Sequence, residues 1–277
     1  MSAKIVNRMF IVILIMATNA VKAQHVDKPW SEKMAKTVMC LWPDSVEMEK
    51  KGRPASWAYF TGVVLEGMTN IWRRTDDEVY FDYIQRNMDR FVSEQGAIKG
   101  YRQSDYDLDQ LKNGRILLTL YNKTGKEKYK KAALLLRDQL KNHPRTKEGG
   151  FWHQGIYPYQ MWLDGLYMAE PFYAQYSATF NEPANFDDIA NQFIYMEKHA
   201  RDVKTGLLYH GWDEARAQRW ADKQNGLSVS FWGRSMGWFG MALVDVLEYF
   251  PKGHPKRAQI LAILNRYATA ITIPTGQ

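Results

Sequence analysis

The strongest constraint on the fold of this chain is a loop pattern that recurs at nearly regular intervals. Three segments share an order of glycine, apolar, polar and aromatic residues: 96–101, 149–155 and 205–212. Ile98 and Phe151 are 53 positions apart, and Phe151 and Leu208 are 57 positions apart. Each interval holds two helical patterns, so the repeating unit is a helical hairpin that buries its apolar face against its neighbours.

A hydrophobic period near 3.6 predicts nine helices, and no convincing set of strands is found. The predicted helices are Ser31–Leu41, Ser56–Trp72, Asp76–Ser93, Tyr106–Tyr121, Glu127–Asn142, Leu163–Thr179, Phe186–His199, Val229–Phe250 and Lys256–Ala270. Hairpins with aromatic loops on one side favour an all-α fold, the (α/α)6 barrel, a toroid of six hairpins whose loops line one mouth. A straight solenoid is the competing arrangement, but it does not explain why chemically active residues gather in these loops. A closed toroid needs twelve helices, so we expect this one to be truncated at its C-terminus.

Residues 1–23 have the pattern of a secretory signal peptide. A basic region, an apolar region too short to span a bilayer and a small-x-small cleavage site follow one another: Lys4 with Arg8, Met9 to Ala17, and Val21-Lys22-Ala23. We therefore expect a periplasmic or secreted protein with one incomplete (α/α)6 domain at residues 24–277. Cleavage removes three positive charges and lowers the formal net charge from +7 to +4. Such a mild charge suits a small acidic substrate better than nucleic acid, and after cleavage we expect no membrane association.

The residue composition bounds the chemistry further. Cys40 is the only cysteine, so the chain has no internal disulfide and no cysteine-based metal site. No other set of residues has metal-ligand spacing, and no phosphate-binding or dinucleotide motif is present, so we expect no metal and no cofactor. Ten Trp, 16 Tyr and 12 Phe are more aromatic residues than a core requires, which favours a carbohydrate ligand. The sequence leaves the oligomeric state open.

One acidic residue has surroundings typical of a sugar site. In the segment Met161–Met168, Asp164 lies two residues after Trp162, immediately before a glycine and where a helical pattern begins. Aromatic residues at 151–159 precede it. Aromatic rings stack on pyranose faces, and a carboxyl group delivers a proton to the reacting bond. The alternative is that Asp164 caps the helix while the aromatic residues fill the core.

Other candidates fall at corresponding places in neighbouring hairpins. Asp105, Asp107 and Asp109 lie at a helix start, where the first two suit N-capping equally well and Asp109 is the better functional candidate. Arg234 lies between two tryptophans and two glycines, a suitable place to hold a carboxylate with its planar fork, although a buried arginine bridging two helices is the alternative. His210 is either a pocket residue or a structural histidine.

These motifs together resemble the unsaturated rhamnogalacturonyl hydrolases of glycoside hydrolase family 105, which are related to the unsaturated glucuronyl hydrolases of family 88. The resemblance runs from about Trp30 to Arg266. The matching segments are Phe151-Trp152-His153, Tyr157 to Met168, Tyr209-His210-Gly211-Trp212-Asp213 and Phe231-Trp232-Gly233-Arg234-Ser235-Met236-Gly237-Trp238. The family fold, an (α/α)6 barrel, agrees with the hairpin repeat. The resemblance implies removal of the Δ4,5-unsaturated uronic acid that lyases leave at the non-reducing end of pectin oligosaccharides.

The resemblance also implies roles for individual residues. Asp164 would be the general acid and base, and Asp109 a supporting carboxylate. The residues expected to bind the sugar are Tyr59, His153, Gln154, Trp162, His210, Arg234 and Trp238. Gln154 stands where many relatives carry Lys, so uronate binding or the preferred neighbouring sugar is expected to differ. The alternatives are an inactive sugar-binding remnant and a conventional inverting glycosidase, in which Asp109 and Asp164 would lie ~6.5–9.5 Å apart.

Overall fold

The computed structural model describes residues 28–46 and 56–272, and the predicted signal peptide lies outside these ranges. Nine α-helices and two short strands lie within them. The helices are α1 (Trp30–Leu41), α2 (Tyr59–Thr75), α3 (Glu78–Asp89), α4 (Gly114–Thr124), α5 (Glu127–Lys141), α6 (Leu163–Thr179), α7 (Asn185–Ala200), α8 (Gly233–Tyr249) and α9 (Arg257–Thr272), and the strands are β1 (Gln160–Trp162) and β2 (Gly211–Asp213). None of the helices in the described ranges is long and apolar enough to span a membrane.

The helices form two concentric layers. The even-numbered helices α2, α4, α6 and α8 pack side by side in chain order and form the inner layer. The odd-numbered helices lie outside them: α3 packs on α2, α5 on α4, α7 on α6, and α9 on both α7 and α8. Because successive helices are antiparallel, all four inner helices begin at the same end of the molecule.

Helix α6 lies at the centre of the described core. Fifteen of its 17 residues are buried, so it has no solvent-facing stripe of the kind that surface helices carry. It approaches α4 closely because Gly114 has no side chain: a Cβ at that position would lie 2.3 Å from the ring of Phe172. The inner layer therefore depends on glycine where an ordinary residue would force the two helices apart.

The predicted loop repeat is present as a shared turn. Gly96, Gly149 and Gly206 all have positive φ, a conformation that costs glycine little. Two residues after each glycine, the chain forms a bridge back to the end of the preceding outer segment: Val92–Ile98, Arg145–Phe151 and Arg201–Leu208. A fourth turn of the same kind, not predicted, contains Gly226 and bridges Ala221 to Ser228.

Two predictions about local structure were wrong. The sequence showed no convincing strands, yet β1 and β2 pair antiparallel, with Met161 opposite Trp212. Each strand has only three residues, which is too short to show an alternating pattern. The helix predicted at 106–121 begins instead as a 3-10 helix at Leu108–Asn113 and becomes α-helical at Gly114.

Candidate active site

The candidate residues gather where the inner helices begin. The backbone connects the loops at this end: Leu108 N–H donates to the carbonyl of His153, and Leu163 N–H donates to that of His210. The side-chain amide of Asn113 donates to the carbonyl of Ala58 at 3.1 Å, so the starts of α2 and α4 are neighbours. Several helix N-termini converge here, and their partial positive charge favours an anionic ligand.

Asp164 is held by side chains rather than acting as a helix cap. It is the second residue of α6, whose N-cap position is Trp162 and has no side-chain cap. Its Oδ1 accepts from Nη2 of Arg234 at 3.2 Å, and its Oδ2 accepts from Oγ of Ser235 at 2.5 Å. The residue is 6% exposed. Both anchors lie on α8, so the packing of α6 against α8 fixes the carboxylate.

Asp109 lies in the same cluster of acidic groups. Burial raises its pKa to about 6, and the charge of Asp164 adds to this, while Gln154 and Arg234 oppose it. The side-chain amide of Gln154 lies 3.4 Å from Oδ2 of Asp109. Burial likewise raises the pKa of Asp107 to about 6, with the charge of Asp109 as the next cause. Asp107 and Asp109 therefore retain their protons at a pH where an ordinary aspartate has lost them.

Asp107 and Asp105 differ in their roles. Oδ1 of Asp107 accepts from the backbone N–H of Asp109 at 2.9 Å, so it caps the 3-10 helix as the capping alternative predicted. Asp105 instead pairs with Arg102 at 3.2 Å near the surface.

His153 is a buried, neutral imidazole. Burial lowers its pKa to about 4, against the opposing charges of Asp164 and Asp107. Its Nε2 lies 3.5 Å from Oδ1 of Asp109. Among the residues that the structure describes, its Nδ1 has no hydrogen-bond partner. This atom would lie 2.9 Å from a Cβ at position 165, so Gly165 leaves room for the ring.

Aromatic rings form one wall of the site. Trp162 is stacked between two rings, with the His153 centroid at 4.4 Å and the Tyr157 centroid at 5.1 Å. The ring of His210 is tilted against Trp162 at 5.9 Å. Burial lowers the pKa of His210. We call Trp162 and His210 together with Trp232, whose ring lies 5.6 Å from His210, the aromatic wall.

Arg234 combines features of both readings of the sequence. It connects α8 to α6 through Asp164, yet its side chain is 47% exposed. Its guanidinium lies 3.9 Å from the ring centroid of Trp232, which holds it by a cation–π contact. Most of its five N–H donors are left for a ligand, and a carboxylate matches that planar fork.

Trp238 and Tyr59 lie near the starts of α8 and α2. Trp238, one turn after Arg234, stacks on Tyr167 with a centroid distance of 4.7 Å and an interplanar angle of 9°. Tyr59 is the first residue of α2, partly exposed and packed against Phe60. The structure thus brings together Asp109, His153, Gln154, Trp162, Asp164, His210 and Arg234, and it places Tyr59 and Trp238 at the starts of the flanking inner helices.

Sequence reasoning missed Ser235 and an ion cluster below the site. Ser235 follows a conspicuous arginine, and a serine at a helix start is usually attributed to capping. The ion cluster contains Glu66, Lys112, Arg115 and Asp245. Glu66 pairs with both Lys112 and Arg115, and Nη1 of Arg115 also lies 2.6 Å from Asp245.

In the part of the chain that the structure describes, no group of three or more acidic, His or Cys side chains is arranged to hold a metal ion.

Comparison with known proteins identifies the family to which this chain belongs. The sequence profile of glycosyl hydrolase family 88 matches residues 30–273, and the chain belongs to that family. It is 46% identical to a family 105 glycoside hydrolase of C. acetobutylicum, whose structure superposes with a TM-score of 0.81 over 88% of this chain and 65% of that chain. The predicted resemblance is therefore confirmed.

A curated relative and a more distant structure complete the comparison. The chain is 27% identical to the unsaturated rhamnogalacturonyl hydrolase YesR of Bacillus subtilis over 206 residues, which is 72% of this chain and 56% of YesR. An α-1,6-mannanase of family 76 from Salegentibacter is only 14% identical but superposes with a TM-score of 0.68 over 89% of this chain and 70% of that one, which shows the fold alone. The fold prediction of an all-α, α/α-barrel architecture is confirmed. The chain spans about half to two thirds of the length of these relatives.

Proposed function

We propose that this protein is a glycoside hydrolase that removes a Δ4,5-unsaturated uronic acid from the non-reducing end of lyase-generated pectin oligosaccharides, in particular those of rhamnogalacturonan. The observation that carries the proposal is Asp164, a buried carboxylate anchored by Arg234 and Ser235 beside a wall of aromatic rings. Membership of family 88 and similarity to an unsaturated rhamnogalacturonyl hydrolase support the same substrate class. The predicted signal peptide leads us to propose a periplasmic or secreted location.

The chemistry requires one well-placed acid. The substrate contains a vinyl ether, in which the ring oxygen donates electron density to the C4–C5 double bond. Asp164 would donate a proton to C4, and the positive charge that develops at C5 would be shared with the ring oxygen. Water would then add at C5 and lose its proton to the Asp164 carboxylate. The product is a hemiketal that opens and releases the reducing sugar, so Asp164 returns to its protonated state.

The surrounding residues suit this reaction. The half-exposed guanidinium of Arg234 keeps donors that suit a uronate carboxylate, and the converging helix N-termini add positive potential. Burial raises the pKa of Asp109 to about 6, so this neighbour of Asp164 keeps its proton at a pH where an ordinary aspartate is ionised. Burial lowers the pKa of His153 to about 4, so its imidazole is neutral and the positive charge beside the acids comes from Arg234.

The decisive experiment uses unsaturated disaccharides made by a rhamnogalacturonan lyase. The purified protein is expected to abolish the ultraviolet absorbance of the alkene, and the Asp164→Asn variant, which keeps the side-chain size, is the control. Cleavage of the corresponding saturated disaccharide by the wild type would instead identify a conventional inverting glycosidase. Loss of neither substrate, from a protein that retains its helical circular dichroism, would refute the proposal.

A further inference from the structure

The loop that connects β2 to α8 projects a tryptophan beside the aromatic wall. Trp220 is partly exposed, and its ring centroid lies 6.1 Å from that of His210. The edges of Trp162 and Trp220 meet at Gly211, where a Cβ would lie 3.3 Å from Cδ1 of Trp162 and 3.4 Å from Cη2 of Trp220. Trp220 therefore adds a further ring to the aromatic wall, beside His210 and close to the edge of Trp162.

The loop is built to hold this ring in place. The buried carboxylate of Asp213 accepts three backbone N–H bonds, from Ala215 at 3.0 Å, Ala217 at 2.8 Å and Gln218 at 2.9 Å. The ammonium of Lys223 donates to the carbonyl of Gln218 at 3.0 Å and to that of Arg216 at the same distance. The bonded backbone groups precede Trp220 in the sequence, and Lys223 reaches them from the other side of it. A loop with its backbone groups satisfied in this way presents a ring that needs little ordering when a ligand binds.

We infer that Trp220 is the stacking surface for the leaving-group sugar, the pyranose attached to the reacting unsaturated uronic acid. This inference rests on the proposed function. A pyranose has one relatively apolar face, and the partly exposed indole of Trp220, next to the aromatic wall beside the proposed acid, matches it. The leaving sugar is the ring next to the one that Asp164 would protonate. Trp220 is likewise a neighbouring ring of the wall, since it lies beside His210, which lies beside Trp162.

A cleft near the site is the alternative place for the leaving sugar. A cleft of about 540 Å³ is lined by Arg102, Asp105, Tyr106, Asp107, Gln154 and Ile156 among others. It shares Asp107 and Gln154 with the acidic cluster. Its aromatic residue, Tyr106, contacts His143 edge to face with a centroid distance of 5.7 Å. Carboxylates there offer hydrogen bonds, but the cleft lacks an indole face, so we assign the leaving sugar to Trp220.

The test separates the two sugar positions by using two substrates. The first is the unsaturated disaccharide, and the second is the same unsaturated uronic acid with a methyl aglycone, which has no second ring. For Trp220→Ala we expect kcat/KM on the disaccharide to fall by about tenfold, mainly through KM, with the methyl uronide unchanged, while Trp220→Phe retains most of the disaccharide activity. The remote, exposed Trp30→Ala is the matched control and should behave as wild type.

Each other result has a defined meaning. Equal loss on both substrates, or no loss on either, would overturn the assignment to Trp220. Loss of disaccharide selectivity in Arg102→Ser but not in Trp220→Ala would place the leaving sugar in the cleft. Lys223→Met removes the contacts of this side chain with the loop carbonyls and leaves the Trp220 side chain in place. If the loop has to hold the ring in order, this variant should show the same selective loss on the disaccharide. A wild type inactive on both substrates contradicts the proposed function rather than this subsite.

Discussion

Two arginine–carboxylate pairs in the inner layer contain the same chemical groups. They differ in how many of the arginine's hydrogen-bond donors are satisfied by other protein groups. In the ion cluster, Arg115 is 8% exposed and contacts Glu66, Asp245 and the side-chain oxygen of Gln175. At the mouth, Arg234 is 47% exposed and contacts one carboxylate oxygen of Asp164. The buried arginine has its donors satisfied by protein, whereas the one at the mouth has donors to spare. Spare hydrogen-bonding capacity beside a buried acid, rather than the ion pair itself, distinguishes a ligand site from a structural bridge.

We expect the largest effect from a substitution of the buried arginine, Arg115, and this effect is on stability. Arg115→Met leaves Asp245 without its arginine and Glu66 with Lys112 alone. Removing one partner of a buried ion pair costs ~3 kcal/mol or more. We expect the melting temperature to fall by roughly 6 to 12 °C at this chain length, measured by circular dichroism. A variant that melts within two degrees of wild type would show that the cluster is not structural.

Asp164→Asn addresses the carboxylate at the mouth. The amide can still accept a hydrogen bond from Ser235, but it has no acidic proton to transfer to the substrate. Activity should therefore fall at least ~100-fold, equivalent to about 2.7 kcal/mol of barrier. Initial rates on unsaturated disaccharides measure this, and the melting temperature should change little. Retention of more than a tenth of the activity would exclude Asp164 as the general acid.

Arg234→Lys sharpens the comparison because it keeps the charge and loses the planar fork. If Arg234 binds the uronate, KM should rise about tenfold while kcat changes less. Arg115→Lys is the matched substitution in the ion cluster, and there we expect a lower melting temperature with KM unchanged. A lower melting temperature and normal KM in Arg234→Lys would make both arginines structural.

The smallest expected effect is a pH-dependent gain in stability. Burial raises the pKa of Asp107 from about 3.8 to about 6, so the folded state binds its proton more tightly than the unfolded state does. The ionised group therefore costs stability, a cost absent below pH 4 and complete above pH 6. Asp107→Asn should stabilise the protein by roughly 1–2 kcal/mol at pH 8 and by almost nothing at pH 3.5. Denaturant midpoints at the two pH values test this, and an equal gain at both would contradict the assigned cause.

The sequence predicts the parts of this molecule that depend on local order. Helix α6 begins and ends at the predicted residues, Leu163 and Thr179, because a long apolar run and an aromatic loop mark its limits. The three loop turns are predictable because each carries its own glycine. The site residues around Asp164 were found through their motifs, and their roles remain predictions.

The rest depends on contacts between distant segments. Ser235 donates to a carboxylate 71 positions earlier in the chain, and no local pattern announces such a pairing. The β1–β2 pairing connects two loops by three residues each, without the alternation that predicts strands. The ion cluster is hidden because Lys112 and Glu66 look like solvated residues of amphipathic segments, and only the packing of four inner helices encloses them.

The recurring turn has a consequence for how this enzyme scaffold can diversify. At Gly96, Gly149, Gly206 and Gly226 the chain closes back on itself within a few residues, and each closure is a local backbone bridge. The segment carrying Trp220 lies between β2 and the closure at Ala221–Ser228, outside the helices. On the Trp220 assignment, we expect an exchange of this segment between relatives to change the preference for the second sugar while the helices and Asp164 stay as they are.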